Sequence, residues 1–184
     1  MAFHDPVEID SRDSRAQFTR LPLEEALANP DCRLAIDLWQ VKRAGRVMPA
    51  RADFDPVELK PILPRLILID VISDPPDFRY RLAGTMSRDL RGVEVTGHSV
   101  LDLVPQQHGL RLWNDLCEMQ RERAPQYLQI SVIASTGEPM SYRVLRLPLG
   151  ADGETMDMAM VLQDYGNALP LLRKYFDEAR GGGR

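Results

Sequence analysis

The sequence predicts an α+β domain built on one antiparallel sheet of five strands, with short helices on one face and a helix flanking each end. Two extended segments joined by a short turn come first, a helical region follows, and three more extended segments end the pattern. The short connections make neighbouring strands antiparallel. The 184 residues are enough for one domain with its own core, and 44% hydrophobic and 27% charged residues are ordinary values for a globular protein.

A helix is predicted to precede the sheet. Asn29-Pro30-Asp31 is a typical helix start, because Asn caps free amides and Pro suits the first helical position. Gly45 then permits the turn out of the helix. Residues 1–28 are mostly polar and show no period, so they are predicted to form a mobile N-terminal arm. The predicted domain, with this flanking helix, covers residues 29–166, and residues 167–184 form a C-terminal helix and a flexible tail.

The five strands are predicted from apolar patterning. LILIDVI is apolar on both faces except at Asp70, which is typical of a strand covered on both sides. The next segment, DFRYRLAGT, alternates apolar and basic side chains until Gly84 ends it, which is typical of a strand with two different faces. The strands are residues 66–72, 77–83, 127–134, 140–149 and 155–164.

The predicted helices lie between the second and third strands and at the end of the chain. Gly and Pro divide the stretch from Gly84 to Gly109 into short helical pieces. Residues 110–123 form an amphipathic helix, and residues 168–179 form the last helix.

Composition and charge limit the classes of function. Net charge is −4, from 27 acidic and 23 basic residues, and no basic stripe is present, so we expect no nucleic-acid partner. The chain shows neither a signal peptide nor a run long enough to span a membrane, so a cytoplasmic protein with no membrane partner is expected. Cys32 and Cys117 form no C-x-x-C pair and are expected to be reduced core thiols.

The sequence contains no common catalytic motif, and we expect the protein not to be an enzyme. One alternative is a small cone-shaped α+β enzyme in which His98 and Asp102 form an acid–base pair in an apolar cavity. The order of the elements distinguishes this enzyme fold from the predicted one, because the enzyme fold does not have two strands followed by helices and then three strands. Another alternative is a structural adaptor whose interior is filled by its own side chains.

Three segments, LWQVKRAG, MPARADFDPVELKPILPRLILIDV and DFRYRLAGT, resemble a PAS-like family common in alphaproteobacteria. The close resemblance covers residues 34–104, and the remainder matches in strand order and hairpins. It implies a PAS-like fold and a sensory or regulatory module that binds a small molecule, a protein partner or another copy of itself. No output domain is expected on this chain, so any signal would pass through a partner.

Apolar and aromatic side chains on the expected inner face are the candidate ligand contacts. Three of them are methionines that alternate along one strand, where they serve either as an adaptable cavity lining or as ordinary core. The candidate ligand-binding residues are Tyr80, Leu82, Trp113, Tyr142, Met156, Met158 and Met160.

Some PAS domains bind a cofactor, but the sequence does not identify one for this chain. Haem-binding PAS domains place an axial ligand in the region of His98 and His108, but the sequence favours two loop histidines beside Gly97 and Gly109, since three histidines in a chain form no ligand set by themselves. Flavin-binding relatives carry an Asn-Cys-Arg motif that neither Cys32 nor Cys117 reproduces. We therefore expect no covalent flavin site and no metal ligands.

A second set of residues is predicted to contact a partner or a second subunit, making the protein a homodimer or part of a complex. Apolar residues of the first helix and arginines on the outer sheet face form this set, because arginine can pair bidentately with carboxylates. The outer face would be covered either by the chain's own first helix or by that of a partner. The candidate interface residues are Leu34, Leu38, Trp39, Arg79, Arg81 and Arg143.

Overall fold

The structure is a computed structural model that describes residues 3–9, 16–133 and 137–181. Over these residues the chain forms one antiparallel sheet of six strands, in the order β1-β4-β5-β6-β2-β3. Four α-helices and several short 3-10 turns complete the fold. The elements are β1 Ala16–Leu21, α1 Pro30–Arg43, β2 Leu66–Ser73, β3 Pro76–Ala83, α2 Thr85–Arg91, α3 Gln106–Glu122, β4 Gln126–Ile133, β5 Pro139–Leu149, β6 Met158–Asp164 and α4 Leu169–Gly181.

The α+β class and the antiparallel sheet are confirmed, but the sheet has one strand more than the sequence predicts. The extra strand, β1, lies in the segment predicted to be a mobile arm and pairs along β4, with Phe18 opposite Ile130. Residues 3–9 also lie against the body of the protein, where Trp113 Nε1 donates a hydrogen bond to the carbonyl of Asp5 at 2.8 Å. A short, half-buried edge strand rich in polar residues has too weak a pattern to be read from sequence.

Helix α1 covers one face of the sheet, here called the α1 face. The side chain of Asn29 caps the helix by accepting hydrogen bonds from the amides of Asp31 and Cys32, as the sequence predicts. Trp39 packs on the sheet and donates from Nε1 to the carbonyl of Pro148 at 2.8 Å. The chain's own helix therefore covers this face, and β2 is buried on both of its sides as predicted.

The other face, here called the cavity face, is covered by α2, α3, α4 and the turn at Val100–Asp102. A buried ion pair joins α3 to the sheet, with Asp115 Oδ2 lying 2.5 Å from Nη1 of Arg146 on β5. Gln126 adds a hydrogen bond from its Nε2 to the carbonyl of Asp115 at 2.8 Å. These contacts fix the position of the longest helix over the sheet.

Element bounds differ from the predicted ones by a few residues. Helix α3 begins at Gln106, four residues before the predicted start, and β6 begins at Met158 although the extended segment was predicted from residue 155. Ala134, the predicted end of the third strand, and residues 182–184 of the predicted tail lie outside the described residues. None of the helices in the described ranges is long and apolar enough to cross a bilayer.

A β-bulge changes the second predicted strand. Leu68 pairs with Leu82, but the next residue of β2, Ile69, pairs with Tyr80, so Arg81 is left as the extra residue. The bulge reverses the alternation at that point. Leu82 consequently turns to the face opposite Tyr80 and is 41% exposed.

Candidate functional site

A cavity of about 250 Å³ lies between the edge strand β3, the segment after α2, and helix α4. Most of its wall is apolar, and of its charged side chains Arg91 is buried whereas Glu94, His98 and Asp102 are exposed. The apolar contacts come from Tyr80, Val93, Val95, Leu103, Val104 and Phe176. The polar contacts come from Arg91, Glu94, His98, Ser99, Asp102 and Arg180.

The outer wall is held by backbone hydrogen bonds to the edge of β3. Tyr80 donates its amide to the carbonyl of His98 at 3.0 Å and accepts at 2.6 Å from the amide of Gly97. Ser99 donates from Oγ to Asp77 Oδ1 at 2.6 Å. Because these bonds occupy the edge of the sheet at Tyr80, the wall is an ordered part of the fold.

Arg91 is the charged group deepest in the cavity. It ends α2, is 7% exposed, and places its guanidinium 5.0 Å from the centre of the Phe176 ring. Its Nε and Nη1 are buried without a hydrogen-bond partner among the described residues. A buried charge without a hydrogen-bond acceptor destabilises the folded state, so an acceptor that reached this side chain would be stabilising.

The space between the sheet and the helices behind Arg91 is nearly filled. A second cavity there has about 30 Å³, enough for a water molecule, and it shares Tyr80, Arg91 and Leu103 with the larger cavity. Burial raises the pKa of Tyr80 to about 12 and also raises the pKa of Tyr142, so both phenols stay neutral. The larger cavity at the side of the domain is therefore the candidate ligand space.

A hydrogen-bonded polar cluster joins α2 to the sheet beside this filled interior. The hydroxyl of Ser87 donates to Oε1 of Gln163 at 2.7 Å and lies 3.2 Å from the hydroxyl of Tyr165. The Tyr165 hydroxyl donates to the same amide oxygen. All three side chains are buried, so the cluster fixes α2, and with it Arg91, relative to the sheet.

Two of the predicted ligand contacts, Leu82 and Trp113, do not line the cavity, whereas Tyr80 does and Tyr142 lines the small interior space. The bulge in β3 turns Leu82 outward. Trp113 instead packs against Phe78, with ring centroids 5.0 Å apart, and against His4 of the N-terminal segment at 5.6 Å. The sequence pattern could not anticipate the bulge or the segment that covers Trp113.

The predicted methionine lining is also corrected. Met160 stands opposite Leu68 and Leu147 on the α1 face, whereas its neighbour Val161 lines the interior on the cavity face. Met158 is on the same side as Met160, because side chains alternate along a strand. Met156 precedes β6 and lines a separate cleft near Gln120. Met158 and Met160 therefore share a sheet face, but it is the α1 face, and Met156 lies outside the strand.

Some of the predicted interface residues are buried in the structure and others are exposed. Trp39 is 3% exposed and belongs to the chain's own core, and Arg143 stacks over the Tyr127 ring at 6.0 Å. Arg79 and Arg81 are on the surface and pair with Asp77 and Asp70 of the same sheet, at 2.8 and 3.4 Å. Leu34 and Leu38 are partly exposed on α1.

The histidines and cysteines occupy different environments. His98 lies at the mouth of the cavity, with its Nδ1 3.8 Å from Asp102 Oδ2 and both side chains about 60% exposed. His108 is buried, and its Nε2 lies 3.2 Å from the Tyr175 hydroxyl of α4. Burial raises the pKa of Cys32 to about 12 and that of Cys117 to about 11, and neither thiol lines the two cavities described above. Among the described residues, no group of three His, Cys, Asp or Glu side chains could hold a metal ion.

Sequence reasoning missed Arg91 and Phe176. No apolar pattern marks Arg91, because Ser87 and Arg91, which are buried on α2 together with Leu90, are polar residues. Phe176 lies in the amphipathic last helix, whose packing partner the sequence does not name.

Comparison with known proteins decides the family. A model of the PAS domain matches residues 28–162, well over half of the chain. The chain belongs to the PAS domain family. PAS domains are typically sensory modules. No curated protein sequence matches the chain.

Solved structures similar to this PAS domain include several light-oxygen-voltage (LOV) domains. The dark structure of the blue-light photoreceptor Aureochrome1 LOV has 12% sequence identity and a TM-score of 0.43, covering 70% of this chain and 94% of that one. The Rhodobacter sphaeroides LOV protein has 14% identity and a TM-score of 0.43, covering 70% and 74%. An RNA-binding light-oxygen-voltage receptor has 14% identity and a TM-score of 0.42, covering 73% and 40%. Likeness at this level carries no argument about ligand or activity.

Proposed function

We propose that this PAS domain is a sensory or regulatory module that binds a small molecule in the 250 Å³ cavity and transmits its presence through helix α4 to a protein partner. One observation carries the proposal. The cavity wall combines the PAS body, through Tyr80, Arg91 and Leu103, with the C-terminal helix, through Phe176 and Arg180. A molecule in this space therefore contacts both parts at once.

Such shared contact is what a sensor requires. A ligand shifts a conformational equilibrium only by the difference in its affinity for the two states, and a ligand that touches Phe176 binds differently when α4 moves. Helix α4 packs on α2 through the buried Phe176, and its Arg180 guanidinium lies against Gly92. The helix is thus placed to respond to what occupies the cavity.

Helix α1, on the opposite face of the sheet from α4, offers a separate surface for contact with a protein or a second copy. Val41 is 71% exposed there and Leu27 is 36% exposed beside the start of the helix, and together with the half-exposed Leu34 and Leu38 they form an apolar strip. Apolar strips of this kind favour protein contacts, either with another protein or with a second copy. Light scattering tests self-association: Val41→Glu should dissociate a dimer formed through this strip, and an unchanged mass for a dimeric protein would exclude it.

The enzyme alternative loses its geometric support. His98 and Asp102 both line the cavity, but their side chains are 3.8 Å apart and mostly exposed, so they are neither hydrogen-bonded nor shielded from water as this alternative requires. The ligand-free adaptor is favoured by a specific observation, since only about 30 Å³ remains between the sheet and its helices. The larger cavity is what distinguishes a sensor from this adaptor.

The test is a small-molecule screen with blocked and matched control variants. The full chain is titrated with neutral, anionic and cationic aromatic compounds, and binding is mapped by amide chemical shifts. Val93→Trp fills the cavity mouth, and Val57→Trp places the same side chain at a 73% exposed site elsewhere. We expect binders to shift the amides of Tyr80 and Phe176 in the Val57 variant but not in the Val93 variant. If no compound binds there, the adaptor is the better account.

A further inference from the structure

We propose that the cavity recognises a small monocarboxylic acid with an apolar body, whose carboxylate pairs with Arg91. This inference rests on the proposed function, because it names the ligand class of the same cavity. It is carried by the buried guanidinium of Arg91, together with the shape and charge of the surrounding walls.

The two buried arginines of the cavity face show what is missing at Arg91. Arg146 is 3% exposed, and its Nη1 pairs with Asp115 at 2.5 Å and with Gln126 Oε1 at 3.3 Å, whereas its Nε is buried without a partner among the described residues. Arg91 is 7% exposed, and no carboxylate in the described part of the chain forms an ion pair with it. Arg146 carries its counter-ion within the chain, so Arg91 is the site where an external carboxylate meets an unpaired charge.

A second arginine lies on the same wall. Arg180 approaches Gly92, the residue that follows Arg91, and pairs through Nη2 with Asp177 of α4. Its Nη1 is buried without a partner among the described residues. Arg91 and Arg180 thus both line the cavity, one held by α2 and the other by α4.

The acidic groups at the mouth limit the charge of the ligand. Glu94 accepts hydrogen bonds from the amide and the hydroxyl of Thr96, which lower its pKa to about 2, so it is anionic. Asp102 accepts from the amide of Ser99 at 3.1 Å. Both carboxylates are exposed, and Glu94 also lies 3.5 Å from Nη1 of Arg88. They repel a multiply charged anion more strongly than a singly charged one. One negative charge is what the site favours.

The remaining wall favours an apolar body. Val95 and Leu103 are each 6% exposed, and Phe176 is 2% exposed. The volume of about 250 Å³ exceeds the roughly 150 Å³ that accommodates benzene in an engineered apolar cavity. The cavity therefore has the volume to hold an aromatic ring with a carboxylate.

Calorimetric titration with three probes tests the inference. Benzoate carries both features, benzyl alcohol lacks the charge, and inorganic phosphate lacks the apolar body. We expect benzoate to bind most tightly to the wild type, and Arg91→Met to weaken it by at least about tenfold, since a hydrogen bond to a charged group is lost. Arg173→Met is the matched control, because it makes the same change at an exposed site of α4 that does not line the cavity, and it should leave the affinity unchanged.

The outcomes separate this inference from the proposed function. If none of the probes and none of the screened compounds binds in the cavity, the proposed function fails. If benzyl alcohol or phosphate binds as tightly as benzoate, or if Arg91→Met retains benzoate affinity, the sensor stands and the carboxylate inference is overturned. Arg91→Lys keeps the charge and should retain part of the affinity, which provides a test if the Met variant does not fold.

Discussion

Replacing Asp115 by alanine tests how the helices are fixed over the cavity face. Its carboxylate lies 2.5 Å from Nη1 of Arg146 and 2.9 Å from Nε of Arg111, and the side chains of Asp115 and Arg146 are only 2% and 3% exposed. The substitution leaves the Arg146 charge buried with a single amide oxygen nearby. Breaking a buried pair in this way costs about 3–5 kcal/mol. For a domain of this size each kcal/mol lowers Tm by roughly 2–4 °C, so we expect a fall of about 6–20 °C.

Thermal and urea unfolding followed by circular dichroism measure the effect. Glu118→Ala is the matched control on the same helix, since Glu118 forms only an exposed pair with Arg20 at 3.1 Å and should cost no more than about 1 kcal/mol. The double variant Asp115→Leu with Arg146→Met removes both charges and should recover most of the loss. If Asp115→Ala costs no more than Glu118→Ala, the buried pair does not fix α3 to the sheet.

Three further predictions concern packing and protonation. Gly84→Ala should destabilise the fold by about 1–3 kcal/mol, since a Cβ there would lie 2.3 Å from the carbonyl oxygen of Leu63, and an unchanged urea midpoint would contradict that close approach. Burial raises the pKa of Tyr80 from 10.0 to about 12, so the neutral phenol's contribution to the stability of the folded state is complete below pH 10 and is lost between pH 10 and 12. Phenolate absorbance should show tyrosines that ionise only when the protein unfolds. Titration of every tyrosine near pH 10 would refute this. Burial raises the pKa of Cys32 from 9.0 to about 12, so at pH 8 the thiolate is about 1000-fold scarcer than in an exposed cysteine. A thiol reagent should therefore modify Cys32 only after unfolding. Rapid reaction in the native state would contradict its burial.

The sequence predicts those parts of the fold in which local pattern and tertiary position agree. The segment LILIDVI is apolar on both faces and becomes a strand covered on both sides, and the Asn29 cap starts α1 where the pattern places it. The two hairpins at the end of the chain follow from short turns between apolar runs. In each case the same residues satisfy backbone, turn and burial requirements, so several signals point to one structure.

The site was less accessible to sequence reasoning because it depends on contacts between distant segments. Leu82 faces outward because a bulge displaces Arg81, and no local pattern marks that bulge. The methionines alternate on a strand with two covered faces, and alternation alone does not say which face borders the cavity. Arg91 is part of a cavity because α4 packs against it through Phe176, and that contact between distant segments has no local sequence pattern.

The most direct test of the central claim is amide hydrogen exchange of the full chain with and without saturating benzoate. The account predicts slower exchange in α4 around Phe176 and in α2 near Arg91, because the ligand bridges these two helices, while the central strands of the sheet remain unchanged. Identical exchange in both helices at a benzoate concentration that occupies the cavity would contradict it, since the bound molecule would then leave α4 unaffected.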